Sequence, residues 1–201
     1  MDINDLLQAL FRWIHFLAGI TWIGMLYFFN LINAHVTAAL QPATRREVVP
    51  QLLPRTLWWF RWGAMFTFLS GLLLLLWKYF ILGSGFTGDA GLFGSSAGLW
   101  ISLGALFGTI MWFNVWFIIW PAQQKIIRGV RDGVPADPAL PKRAALASRI
   151  NTYLSGPMLF GMLAPNHYGA INIVTAIVAI GLGLLAIWWA FRTAPTVGKS
   201  I

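Results

Sequence analysis

An all-α integral membrane bundle is the fold class this sequence predicts, on three observations. The 201 residues are 58% hydrophobic and only 10% charged, whereas soluble domains are about half apolar and about a quarter charged. The apolar stretches run about 20 residues without period-two alternation, the length of a crossing helix and not the pattern of a barrel strand. The basic residues also collect on alternate connections, as orientation in a membrane requires.

Five spans follow in order. The first covers residues 10–32, and the second runs from Trp58 to Leu82. The third, residues 98–120, carries Asn114 in its middle. The fourth, residues 145–163, is the shortest clean apolar run, interrupted by Arg149 and Asn151. Pro157 should kink it unless neighbours satisfy the freed carbonyl. The fifth covers residues 170–191. The whole chain, 1–201, reads as one membrane domain with no soluble one.

Loops then divide the charge. One side holds Arg45, Arg46, Arg55, Lys125, Arg128, Arg131, Lys142, Arg143, Arg192 and Lys199, with Arg61 and Arg149 just inside the adjoining helix ends. Only Arg12 and Lys78 of the 14 basic residues remain for the other. The positive-inside rule therefore places the N-terminus in the periplasm and the C-terminus in the cytoplasm of a bacterial inner membrane. The net charge of +8 is read as orientation, with no nucleic-acid partner. The acidic opening Met1-Asp2-Ile3-Asn4-Asp5 is unlike a cleavable leader. The Gly/Ser-rich outer connection, Gly83 to Ala97, is expected to be flexible or stretched over the bundle. The inner one, Gly129 to Pro141, carries Pro135 and Pro138 and reads as an ordered turn. Most of the 12 Trp residues fall near span ends, where interfacial aromatic belts belong.

Chemistry is sought first at the imidazoles. His15 lies in the first span, sharing a helix face with Ala18, Gly19 and Trp22. Gly19 and Ala18 would give a flat macrocycle somewhere to lie, or let a helix pack closely. Arg12, one turn outward, could pair with a propionate. His167, in Pro165-Asn166-His167-Tyr168, falls near the same face. The pair suggests axial ligands to a haem iron; the plainer alternatives are a helix-to-helix hydrogen bond for His15 and a turn residue for His167. No Cys is present, so any haem is a non-covalent b-type group. A zinc or non-haem iron site lacks further ligands. His35, about 30 Å along a helix from His15, reads as a surface residue. Asn30, Asn114, Asn151 and Tyr153 read as polar groups bridging helices. No Asp or Glu falls within a span, which argues against a proton-coupled pump.

Several ordered motifs resemble the membrane domain of the bacterial membrane-bound urate hydroxylase (urate oxidase N-terminal) family. Arg12-Trp13-Ile14-His15-Phe16-Leu17-Ala18-Gly19-Ile20-Thr21-Trp22-Ile23-Gly24 resembles its opening helix. Leu57-Trp58-Trp59-Phe60-Arg61-Trp62, with Leu69-Ser70-Gly71, resembles its second. Trp120-Pro121-Ala122-Gln123-Gln124-Lys125 is similar to its turn after the third. Asn151-Thr152-Tyr153-Leu154-Ser155-Gly156-Pro157, with Asn166-His167-Tyr168, resembles its fourth segment. A weaker similarity, in the first helix only, is to the membrane protoporphyrinogen oxidases.

Full-length family members carry a C-terminal cytochrome c domain and are implicated in urate oxidation, so the resemblance implies a short relative without that domain. The family pattern places histidines where this chain has Thr56, Trp58 and Ile150, which implies loss of an inner-side haem or substrate site while His15 and His167 remain. The reading is an electron-transfer protein holding one haem b, with His15 and His167 on the iron and Arg12, Gly19 and Trp22 around it. Two axial protein ligands leave no open iron site, which favours relay over catalysis at the metal. Its partners would be the lipid bilayer, other membrane subunits of a respiratory or oxidase-type complex, or a periplasmic cytochrome c. Two alternatives stay open: an oxidoreductase of urate hydroxylase type using a separate cytochrome c, and a haem-free accessory subunit.

Overall fold

The computed structural model describes residues 2–83, 85–134 and 136–199; Ser84 of the outer connection and Pro135 of the inner one lie outside them. Among the described residues all regular structure is helical. In chain order the helices are α1 (Ile3–Tyr27), α2 (Ala34–Ala39), α3 (Pro42–Leu76), α4 (Ser96–Phe113), α5 (Trp120–Asp132), α6 (Ala139–His167) and α7 (Ile173–Thr193). Wider π turns at Phe28–Asn33 and Asn114–Ile119 join α1 to α2 and α4 to α5, and a third, Trp77–Ile81, extends α3.

Four continuous helices are long and apolar enough to cross a membrane: Ile3–Ala39, Pro42–Ile81, Ser96–Asp132 and Ile173–Thr193. Most run well past the apolar windows from which spans are read. Helix-favouring Ala, Gln, Lys and Arg carry α3 and α5 beyond the windows, and the Asp2 side chain caps α1 eight residues before its first expected span residue. The fourth expected span lies within α6, whose 29 residues continue through Pro157 and Pro165. The described residues of both connections make defined backbone hydrogen bonds. Around the outer one, Leu92 N–H donates to the Gly85 carbonyl (3.1 Å) and Phe93 N–H to that of Phe86 (2.8 Å), so this stretch folds back on itself instead of stretching over the bundle. At the inner one, Gly133 adopts φ +71°, which only Gly takes freely, and closes α5.

Neighbouring helices pair antiparallel: α1 on α3, α4 on α6 and α6 on α7, with α3 also against α5. In lipid there is no hydrophobic drive between helices, so close backbone approach at small residues decides packing. A Cβ on Gly161 would stand 2.8 Å from Gly104 N, and one on Gly63 would stand 3.1 Å from Trp22 N. Those contacts set the α4–α6 and α1–α3 crossings. The core holds Trp22, Leu26, Phe60, Met111 and Val115, and also Asn151, Thr152 and Ser155, each fully buried. Phe16, Ile20, Ile173 and Leu182 meanwhile face outward with most of their surface exposed. Polar groups inside and large aliphatic groups outside is the arrangement lipid selects.

Candidate functional site

His15 sits on the α1 face that packs against α3. The Thr67 backbone carbonyl lies 2.8 Å from its Nδ1, and the Ser70 hydroxyl lies 3.3 Å away. A carbonyl can only accept, so Nδ1 carries a proton, and in the neutral ring Nε2 keeps its lone pair. This is the tautomer that a metal-bound imidazole with a carbonyl partner adopts. Thr67, Ser70 and Gly71 share one α3 face by their spacing of three and four. At Gly71 a Cβ would meet His15 Cε1 at 2.9 Å, so the ring is seated where α3 has no side chain.

The other residues expected around His15 divide. Trp22, only 2% exposed, packs on α3 at Gly63, and Gly19 faces Thr67. That α1 face is therefore occupied by α3, the close-packing alternative for Ala18 and Gly19. Arg12 is exposed and donates to Gln8 Oε1 at 3.0 Å. Trp77, whose ring meets Phe11 one turn outward of His15, has a buried indole N–H without a partner.

His167 ends α6 and is exposed. The corner just beyond it is fixed by Tyr168, whose ring packs edge-on against Trp100 and Phe160, and by the Trp100 indole N–H donating to Gly169 O at 3.2 Å. The structure does not bring the two histidines into a hydrogen bond. Helices α1 and α6 meet instead at Tyr27 and Ser155, whose hydroxyls are 2.9 Å apart. His15 and His167 each lie twelve residues from that contact in the same direction, about 18 Å along antiparallel helices. A second register, Phe68 stacked on Trp112 at 4.2 Å, sets His15 near the C-terminal end of α4, whereas the corner after His167 lies against Trp100 near the N-terminal end. The α1–α3 pair is thus inclined to the α4–α6 pair.

Two constellations complete the interior. On α6, Ser148, Asn151, Thr152 and Ser155 form one polar face. Asn114 donates to Asn151 Oδ1 (2.8 Å), Asn151 donates to the Met111 carbonyl (2.9 Å), and Asn30 donates to Ser148 Oγ (2.8 Å). The three asparagines therefore bridge helices as expected, while Tyr153 does so by stacking on Phe191 at 5.3 Å. Asn151 takes up the Met111 carbonyl just where α4 gives way to the π turn, a place where the helical ladder can accept an inserted side chain. Nearby, the Arg61 guanidinium has no carboxylate partner among the described residues. It lies 4.0 Å from the Trp120 ring centre and 5.1 Å from that of Trp116, held by the ring faces.

Among the described residues no group of three or more His, Cys, Asp or Glu could hold a metal ion. Residues 88–192, just over half of the 201, match the sequence model of the family described as urate oxidase N-terminal. That match spans α4 to most of α7, including the α6 polar face and His167, and leaves His15 and Arg61 outside it. No curated protein and no solved structure matches the chain.

Proposed function

This chain belongs to the urate oxidase N-terminal family, and from that premise we propose that it is a membrane electron-transfer protein holding one haem b. The observation that carries the reading is the His15 ring: its Nδ1 is tied to Thr67, and Nε2 is left as a ligand. Counted from the Tyr27–Ser155 contact, both histidines lie on the helix halves that run toward the same membrane face, which supports His167 as the second residue that would hold the haem. The unpartnered Trp77 indole N–H, near the same level, is a donor suited to a propionate, and Arg12 would assist from the helix surface. Bound haem would supply one-electron redox chemistry. The chain's own residues orient the imidazole, exclude water with the aromatic face of α1 and α3, and hold the α6 corner that presents His167.

In this reading five helices cross the bacterial cytoplasmic membrane. α6 is the fourth, its polar face turned inward to α4 and α1, and the charge division argues for an N-terminus outside. Electrons would pass to a periplasmic cytochrome c or to another membrane subunit. The deciding experiment is a reduced-minus-oxidised spectrum of the purified protein, with His15→Ala and His167→Ala beside it. A Soret band lost in both variants supports the reading. A colourless protein overturns it and leaves His15 as a helix-pinning hydrogen bond in a haem-free accessory subunit.

Family membership supports a second reading: substrate oxidation of urate hydroxylase type, with the cytochrome on a separate polypeptide. Its test is haem reduction on adding urate to membranes containing the protein; no reduction would remove it.

A further inference from the structure

We propose that the cleft between α5 and the start of α6 is a binding site for one anionic phospholipid, its phosphate held by Lys125 and Arg143. The proposal rests on the reading of these helices as membrane-embedded. The cleft, about 120 Å³, has an apolar floor of Phe117, Ile118, Pro121 and Leu140, with Lys125 and Arg143 along one side. That space admits a small polar group such as a phosphate.

Charge and polarity select the occupant. Both cations are exposed, and neither has a carboxylate partner among the described residues, where the ion pair is Arg131 with Asp132. Arg128 and Lys142 on the same two helices add positive charge nearby. Below the cations, Phe117 exposes 56% of its surface, a strip along which an acyl chain can lie. Cations at headgroup depth above an exposed apolar strip is the pattern that recognises an anionic lipid, and a soluble anion would not need the strip. The antiparallel packing of α5 and α6 brings the two cations to one cleft.

The test uses the full chain in detergent with phosphatidylglycerol and phosphatidylcholine, counting retained lipids by native mass spectrometry. One phosphatidylglycerol per chain is expected, and Lys125→Ala with Arg143→Ala should weaken its retention about 30-fold, from roughly two surface charges removed. Removing two charges elsewhere on the same side, Arg45→Ala with Arg46→Ala, should leave retention unchanged; an equal loss there marks diffuse attraction and overturns the site. Displacement of the lipid by millimolar inorganic phosphate alone would mark a free-anion site and overturn the lipid assignment. Should the double variant fail to fold, a photoreactive phosphatidylglycerol on the wild-type chain still decides. Label concentrated in residues 117–125 and 140–143 supports the site, and label spread along the exposed helices refutes it. A chain kept in bilayers through an alkaline wash without preferred lipid refutes the cleft alone, whereas a chain stripped by the wash refutes the membrane reading beneath it.

Discussion

Replacing Asn151 with Ala should be among the most damaging single changes in the bundle interior. The residue is fully buried, and its amide joins Asn114 on one side and the Met111 carbonyl on the other. Interhelical hydrogen bonds in membranes average about 0.6 kcal/mol each, with a ceiling of about 1.7. Two lost bonds therefore cost about 1–3 kcal/mol, and the Asn114 side-chain amide left unpaired pushes toward the upper end. We expect about 2 kcal/mol, read by reversible unfolding in mixed micelles followed by circular dichroism. A double-mutant cycle with Asn114→Ala isolates the pair and should return about 0.6–1.7 kcal/mol of coupling. Leu146→Ala, on the exposed face of the same helix, should change little. Asn151→Ala no worse than Leu146→Ala, or a cycle with no coupling, would refute the polar face as a stabilising element.

Other perturbations separate roles on neighbouring positions. Gly183→Val should disrupt the α6–α7 crossing, because a Cβ there stands 2.6 Å from Pro157 N, while Gly181→Val, two residues away in open space, should be silent; both are read as thermal unfolding midpoints. Arg61→Ala should cost about 1–2 kcal/mol of desolvated cation–ring attraction and alter tryptophan emission; Arg61→Lys should lose most of it, and an unchanged spectrum in both would refute the ring-face contact. The Arg131 hydrogen bond holds the Asp132 carboxyl below its ordinary range. Whatever stability this gives is present at neutral pH and lost as pH falls through that lowered range. Because the pair is exposed, Asp132→Asn should leave the unfolding midpoint at pH 7 unchanged.

Much of the helical architecture was legible because apolar run length is a direct consequence of bilayer thickness. Helix ends were not, since polar helix formers such as Gln51 and Arg128 continue the spiral where hydropathy falls. The polar run of α6 looked like a weakness in a span; it is the face turned to α4 and α1, and an inward-facing side cannot be told from an outward-facing one without the partner helices. The same limit hid the seat of His15. Thr67, Ser70 and Gly71 carry a visible spacing of three and four, yet nothing local says that α1 lies on them. Gly19 and Trp22, read around a macrocycle, instead pack on α3, because the small residues admitting that contact, Gly63 and Gly71, are on the other helix. The π turns had no sequence signature; the one that opens at Asn114 coincides with the Asn114–Asn151 bond between helices.

The central claim is that His15 Nε2 and His167 hold one haem iron, and a reduced-minus-oxidised absorbance spectrum of the purified chain with a pyridine haemochrome assay tests it most directly. One haem b per chain is expected, absent from His15→Ala and from His167→Ala while Asn114→Ala retains it. A correctly folded chain that shows no Soret band after expression with haem supplied, or one whose haem survives loss of both histidines, would contradict it.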